Sequence, residues 1–340
     1  MPSVSNIVVV GASAGGVASL QALTAGLPSD FHAAVFIVLH ISPEYVSHLP
    51  QILSNKGPLP AVHPKNGDPI RPGHIYVAPP DHHLLLEGEC IGVRKGPKEN
   101  RFRPSVDALF RSAAYTYKSS VIGVVLSGAL DDGTSGLWTI KRLGGISVVQ
   151  DPEDATFDSM PLSALNQVEI DYSLPASDIG PLLGQLIKIP AHKQIEISAE
   201  EKTRLETEIG IAGNGHAFES EIMKIGTLTP FTCPECHGTL MEFKEGNLYR
   251  YRCHTGHGYT AHALLNEVSG MVEDGFWSVI RALQEAVMLL KEMGKKYADI
   301  GQTDTAEQFF EKASDAEQRA LILEKMTFNT SNINVHSLQV

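Results

Sequence analysis

The chain has 340 residues, 43% of them hydrophobic, which is enough for about two domains with a sizeable core and no need of disulfide staples. Its 27 Lys and Arg against 39 Asp and Glu give a net charge of -12, which argues against nucleic-acid binding and disfavours adhesion to anionic lipid. No apolar stretch approaches the roughly 20 residues a membrane-spanning helix needs. Met1–Asn6 lacks the basic segment of a signal peptide. Cys90 stands alone and three cysteines cluster late, so a reducing cytoplasm is the expected setting.

In chain order, the first half alternates β-branched runs with helical patterns. Ile7–Val10, Val35–Leu39, Ile75–Val77, Val121–Leu126 and Ile146–Val149 read as buried strands. Val17, Leu20, Leu23 and Leu27 recur at helical spacing, as do Val106, Leu109 and Phe110. Unbroken apolar strands separated by helices predict an α/β fold, doubly wound, with a mainly parallel sheet and helices on both faces. Leu84–Glu87 and Glu89–Val93 flank Gly88 as an appended hairpin. The pattern fades towards Pro190, which bounds a first domain at 1–190.

Residues 191–228 are rich in charge without strong apolar periodicity and read as an acidic linker, partly helical over Ala199–Glu208. Residues 229–260 form a short segment bearing Cys and His. Residues 261–326 are helical in pattern, through Leu264, Val268, Met271, Ile280, Leu283 and Val287, with an interruption at Gly301 and Asp304. This predicts an α-helical hairpin, read as an interaction or self-association element. Residues 327–340 are polar and expected to fray.

Gly11-Ala12-Ser13-Ala14-Gly15-Gly16 follows the first strand directly and opens a helix. Such a junction lies at the carboxyl edge of the sheet, where open α/β folds bind ligands, and helix-start N–H groups favour negative charge there. The pattern fits G-x-S-x-G, in which serine is an acyl-transfer nucleophile. A dinucleotide site fits less well. Ser13 stands where the middle glycine belongs, and the second strand ends in His40, where an acid would hold a ribose. A plain turn with a capping serine is the other reading.

Serine chemistry needs a base and a group to orient it. His40 ends the second strand, and Asp131 and Asp132 follow the strand Val121–Leu126. Three strand ends thus deliver Ser, His and Asp to one rim. Each has a structural alternative, and Asp131 or Asp132 would also serve to cap the helix from Thr134. His32, His48, His63, His74, His82 and His83 are rival bases. Ser105 reads as the N-cap of the helix over Val106–Phe110, with Asp107 suited to its dipole.

The turn Gly11–Gly16, Val38-Leu39-His40, Phe102-Arg103-Pro104-Ser105-Val106-Asp107, and Leu126-Ser127-Gly128 leading to Asp132-Gly133 together resemble the chemotaxis-receptor methylesterase family, CheB, over about residues 5–190. The resemblance implies that Ser13 is the nucleophile, His40 the base and Asp132, not Asp131, its orienting acid. It implies oxyanion donors at the N–H groups of Ala14 and Ala129, leaves Arg103 as a residue of the substrate cleft, and requires no catalytic cofactor. The expected substrate is the methyl ester of a glutamate side chain in a methylated chemoreceptor or related signalling protein, with glutamine deamidation by the same apparatus. The family's T-G-M-G-x-D-G loop departs here to Ser127-Gly128-Ala129-Leu130-Asp131-Asp132-Gly133, and leucine avoids angles that glycine adopts. Members often carry a receiver domain ahead of the esterase. This sequence opens at the catalytic strand, so control through an attached receiver is not expected. A non-catalytic signalling adaptor with an esterase-like domain, and a hydrolase of small soluble esters, are the competing functions.

Cys233-Pro234-Glu235-Cys236 and Cys253-His254-Thr255-Gly256-His257 have the spacing C-x2-C-x16-C-x3-H. Two thiolates on one turn and a second knuckle suit a closed, structural zinc site, and a segment so short would gain much of its stability from the metal. A redox dithiol lacks βαβ surroundings and leaves Cys253 unexplained. His257 is the expected fourth ligand, with His254, His237 and His262 as alternatives. The segment resembles the zinc-ribbon-like extension of some family members.

Overall fold

The computed structural model describes residues 6–190, 195–214 and 222–329. The chain divides into two compact units, Met1–Ala263 and Leu264–Val340.

The first unit begins with β1 (Ile7–Ala12), α1 (Gly16–Ala25), β2 (Ala34–Leu39), α2 (Leu49–Lys56), β3 (Ala61–Val62), β4 (Ile75–Val77), β5 (His83–Glu87) and β6 (Cys90–Arg94). It continues with α3 (Val106–Tyr117), β7 (Val121–Val125), α4 (Thr134–Arg142), β8 (Ile146–Gln150), α5 (Ser159–Gln167), β9 (Tyr172–Leu174) and α6 (Ala176–Leu186). Seven strands form one sheet in the order β3-β4-β2-β1-β7-β8-β9, every pair parallel. The doubly wound α/β architecture is therefore the one the apolar runs predict. Sequence reading missed β3 and β9, edge strands of two and three residues whose runs are too short to show a period. The hairpin β5–β6 forms a separate antiparallel pair.

Strand alternation builds two cores. Ile7 and Val9 of β1 pack with Leu109 and Phe110 of α3 and Leu137 and Ile140 of α4. Val8 and Val10 face the other way, onto Leu20 and Leu23 of α1 and Ile179 and Leu183 of α6. Each of these side chains contributes about 1.5–3 kcal/mol on burial, so the central strands are held rigidly from both sides. That rigidity fixes the carboxyl ends of β1, β2 and β7, where the candidate site lies.

The stretch expected as a linker carries α7 (Ala199–Asn214), which is no tether: Leu205 joins the first core, and Leu205, Glu208, Ile211 and Ala212 are buried. The helix itself was expected, but its apolar stripe is narrow and its buried Glu208 looks solvated in sequence, so the packing of α7 does not show there. The short α8 (Ile222–Ile225) leads into β10 (Thr227–Thr232), β11 (Thr239–Glu245), β12 (Leu248–Cys253) and β13 (Gly258–Thr260), an antiparallel four-stranded ribbon.

A buried ionic cluster joins the ribbon to the α/β fold. Arg250 and Arg252 of β12 reach Glu99 at 3.3 and 2.8 Å. Arg250 also reaches Glu208 of α7 at 2.8 Å, and Arg111 of α3 lies 3.2 Å from Glu99. Burial raises the carboxyl of Glu208, but the guanidinium charges of Arg111, Arg250 and Arg252 outweigh it and hold the group at about 2.

The second unit holds most of α9 (Ala261–Asp299) and all of α10 (Thr303–Asn329). The turn between them uses Gly301 at φ 78°, and the two helices pair antiparallel through Tyr297 stacked on Phe309 and Lys291 bonded to Glu317. The polar tail expected over 327–340 lies outside the described residues from 330 onward.

Candidate active site

Ser13 follows β1 at the carboxyl edge of the sheet, and its N–H donates to Ser127 O at 3.0 Å, tying the turn to the end of β7. The left-handed backbone of the turn falls on Gly15, at φ 73°, two residues beyond Ser13. A Cβ on Gly11 would lie 2.2 Å from Val106 Cγ1, so the start of α3 packs directly beneath the turn.

His40 continues β2, its N–H donating to Ala12 O. Its Nδ1 lies 3.2 Å from Ser13 Oγ and its Nε2 lies 2.8 Å from Asp132 Oδ2. The tautomer that satisfies both contacts has Nε2–H donating to the carboxylate and Nδ1 accepting from the serine hydroxyl. The ring of Phe102 stacks on the imidazole, with centroids 3.7 Å apart and planes 7° from parallel.

Asp132 is a nearly saturated acceptor. Its Oδ2 also accepts the N–H of Val106 at 2.7 Å. Its Oδ1 accepts from Asn100 Nδ2 at 2.9 Å, Ser105 Oγ at 3.0 Å and the N–H of Asp107 at 3.2 Å. Ser105 therefore does not cap α3 through its own side chain, as its sequence position suggests; the Asp132 carboxylate takes the first helix N–H groups. Burial pushes the Asp132 carboxyl up, but the bond and charge of His40, with the donors Asn100 and Val106, hold it below its ordinary value.

Asp131 serves elsewhere. It accepts from Thr260 Oγ1 at 2.9 Å and faces His262 at 3.8 Å, and burial pushes its carboxyl up to about 6. The rival histidines are turned to backbone carbonyls: His63 to Val77, His74 to Pro72, His82 to Pro80 and His83 to Pro97. His48 sits at the start of α2, and His32 is exposed.

The loop after β7 places a leucine in a conformation that favours glycine. Leu130 adopts φ 65°, in the left-handed region. Ser127 N–H donates to Gln150 Oε1 and Gly128 N–H to Phe157 O, which leaves Ala129 as the next N–H along the loop. Across the turn, Ser127 Oγ donates to Ala14 O at 2.9 Å, fixing the peptide between Ala14 and Gly15.

A cavity of about 90 Å³ opens beside the imidazole, lined by His40, Ile41, Lys98, Arg101, Phe102 and Arg103. Arg103 is pinned there, with Nε and Nη2 on Asp81 Oδ1 and Nη1 on Gly96 O. A larger cavity of about 640 Å³, bordered by Trp138, Arg142, Glu201, Arg204 and Lys244, shares no lining residue with this cleft.

Away from the triad, Cys233, Cys236, Cys253 and His257 bring their donor atoms within 4.8 Å of one another. Cys236 Sγ lies 3.6 Å from Cys253 Sγ, and His257 Nδ1 lies 3.6 Å from the sulfurs of Cys233 and Cys253. Zinc–ligand bonds of about 2.0–2.3 Å in a tetrahedron separate ligands by about 3.5–3.8 Å, so the donor set fits such an ion. Of the alternatives, His262 faces Asp131, while His254 packs over Gly238, where a Cβ would meet its ring at 2.2 Å.

Sequence reasoning missed Asn100, Phe102 as a stacking partner, and Ser127 with Gln150. Phe102 carried a signal, since it adjoins the Arg103-Pro104-Ser105 block; Asn100 carried none.

Residues 8–183, about half of the chain, match the sequence model of the CheB methylesterases. The chain belongs to the CheB methylesterase family. A relative from Leptospira interrogans is 37% identical over 180 residues, covering 53% of this chain and 93% of the relative. The protein-glutamate methylesterase/protein-glutamine glutaminase of Thermotoga maritima is 36% identical over 191 residues, covering 55% of this chain and 56% of that one. The crystal structure of the Thermotoga maritima CheB methylesterase catalytic domain superposes with a TM-score of 0.52 at 35% identity, covering 54% of this chain and 98% of that domain. The CheB match ends before α7, so the ribbon and the helical hairpin lie beyond the part these comparisons cover. Among the described residues, no helix is long and apolar enough to cross a membrane.

Proposed function

We propose that this CheB-family chain is a protein-glutamate methylesterase, with protein-glutamine deamidase activity at the same site, and that it acts on methylated chemoreceptors or related signalling proteins in the cytoplasm. The observation that carries the reading is the continuous hydrogen-bond chain Ser13–His40–Asp132. Ser13 Oγ attacks the ester carbonyl of a methylated glutamate while His40 Nδ1 takes its proton. The N–H groups of Ala14 and Ala129 hold the oxyanion, each donor of this kind being worth about 2.7–4 kcal/mol. His40 returns the proton to the leaving methoxide, and methanol departs. Water, deprotonated by His40, then attacks the acyl-enzyme and frees the glutamate carboxyl, restoring Ser13. Asp132 fixes the imidazole tautomer and stabilises its cationic form. Arg103, pinned at the cleft wall, shapes the entrance for the side chain that carries the ester.

No cofactor enters these steps. Cys233, Cys236, Cys253 and His257 would hold a structural zinc ion; four protein ligands leave no open position for catalysis. Self-association through the helical hairpin belongs to the same proposal, supported by the exposed Val279, Met288 and Leu289 of α9.

The test is methanol release from membranes bearing methylated receptor. The full chain releases methanol and Ser13→Ala does not. Turnover by Ser13→Ala near the wild-type rate refutes the assignment. Release that follows a soluble ester equally well and ignores receptor helices favours a small-ester hydrolase instead.

A further inference from the structure

The ribbon is bonded to the segment that lines the cleft. Gly258 N–H donates to Lys98 O at 3.2 Å, and Asn100 N–H donates to Gly258 O at 2.8 Å. Thr260 N–H donates to Asn100 Oδ1 at 2.9 Å. That bond fixes the amide with Nδ2 towards the two carboxylates, 2.9 Å from Asp132 Oδ1 and 2.8 Å from Asp107 Oδ2. Asn100 is 3% exposed and sits at φ 50°, in the left-handed region where asparagine is enriched. The residue before it, Glu99, is clamped by Arg250 and Arg252 of β12. Two residues after it, Phe102 stacks on His40.

The same strands carry the Cys/His group. Cys253 ends β12, His257 directly precedes β13, and Cys253 N–H donates to His257 O across the turn at 3.1 Å. An ion held by Cys233, Cys236, Cys253 and His257 would lock this turn, and with it the positions of Gly258 and Thr260.

We infer that the ribbon is a built-in part of the esterase site: Asn100 is a positioning residue for Asp132, Thr260 orients Asn100, and a metal ion in the Cys/His group keeps both in place. The inference rests on the triad and zinc readings proposed above. It makes esterase activity depend on an ion that never meets the substrate.

The groups facing Asp132 set the direction of the pH effect. His40 faces it from β2, Asn100 from the cleft segment, and Ser105, Val106 and Asp107 from the start of α3. The Asp107 carboxylate is bonded to the same Asn100 amide, with Arg111 and Arg250 facing it, and Asp131 follows in the loop with His262 against it. Losing the amide removes a donor from Asp132 and the bridge between two carboxylates. Asp132 then binds the imidazolium proton more tightly, and the acid limb of the rate profile moves to higher pH.

The experiment uses the full chain, wild type and Asn100→Ala, with a fluorophosphonate probe for Ser13, a soluble activated ester for kcat/KM against pH, and amide hydrogen exchange at residues 98–103. Asn100→Ala lowers kcat/KM by roughly tenfold or more and shifts the acid limb upward. Chelating the metal from wild type speeds exchange at residues 98–103 and slows fluorophosphonate labelling in parallel. If Asn100→Ala does not fold, the chelation arm decides alone. A folded Asn100→Ala with the wild-type rate and profile, or a chelated chain with unchanged exchange and labelling, overturns the inference and leaves the triad standing. A wild-type chain that neither labels nor turns over overturns the triad reading and this inference with it.

Discussion

Asp107 and Asp132 exchange helix caps. Asp132, just ahead of α4, accepts the first N–H groups of α3, and Asp107, in the first turn of α3, accepts the N–H groups of Gly133 and Gly136 at the start of α4. The exchange locks the loop carrying Asp132 to the helix beneath the Ser13 turn. Burial, with the nearby Asp132 charge, pushes the Asp107 carboxyl above its usual range, while His40 and the surrounding donors hold the Asp132 carboxyl below its own.

Position and charge at Asp132 are therefore separable. Asp132→Asn keeps an acceptor for α3 but offers His40 the wrong partner, and a loss of roughly 10³–10⁴ in kcat is expected from the behaviour of triad aspartates. Asp132→Ala loses the cap as well and costs about 1–2 kcal/mol or more of stability. Ser13→Ala removes activity with a urea midpoint within experimental scatter of wild type. Urea unfolding and ester turnover on the three variants check the pattern, and a stable, inactive Asp132→Ala contradicts the capping role.

Phe102 covers the imidazole face to face. Phe102→Ala frees the ring to rotate away from Ser13, with a fall in kcat of roughly tenfold or more. NMR of the His40 ring protons reports the change directly, because the ring current of Phe102 disappears. Wild-type kcat in a variant whose His40 resonances have moved shows that stacking does not position the base.

The parallel sheet was legible because β1, β2, β7 and β8 are unbroken apolar runs buried on both faces, a pattern local to each strand. Strand ends of one parallel sheet converge on one edge, which is why Ser13, His40 and the pair Asp131 and Asp132 could be placed on one rim; the choice of Asp132 came from the family resemblance alone. What could not be read was long-range and polar. Glu208 looks like any solvated helix residue until Arg250, 42 positions away, is placed against it. Asn100 gains its role only through Thr260, 160 positions on. No local period reports such pairs.

Leu130 occupies a backbone conformation suited to glycine. The left-handed region costs an L residue about 1–2 kcal/mol, partly offset by the greater freedom glycine loses on folding. Leu130→Gly is therefore expected to leave stability within about 1 kcal/mol of wild type and to retain esterase activity, whereas the β-branched Leu130→Val lowers the melting temperature. Differential scanning calorimetry on both variants tests this. A Leu130→Gly chain that loses activity means the leucine side chain, not the loop conformation, is what the site needs.

The Cys/His group predicts a metal count. The purified chain is expected to carry one zinc ion, and alanine at Cys233, Cys236, Cys253 or His257 to lower that content sharply. His237→Ala and His254→Ala leave it in place, since neither residue belongs to the four-donor cluster. Elemental analysis of the six variants decides the matter. Full zinc content in His257→Ala reassigns the fourth ligand.

The buried ionic cluster makes stability depend on pH with a definite sign. The Glu208 carboxyl is held at about 2 in the folded chain, against roughly 4.3 when unfolded. The unfolded chain thus binds the proton first, so the contribution of Glu208 is fully present above about pH 4.3 and fades as pH falls towards 2. Asp131, raised to about 6 by burial, works the other way, its folded form keeping a proton that the unfolded chain releases between about pH 4 and 6. Comparing wild type with Glu208→Gln cancels the Asp131 effect. At neutral pH the variant should be less stable by about 3–5 kcal/mol, the cost of leaving buried guanidinium groups short of a partner. The gap should narrow steadily below pH 4.3. Urea titrations across pH 3–8 measure it, and a gap that stays constant with pH shows that the Glu208 carboxylate is not what balances Arg111, Arg250 and Arg252.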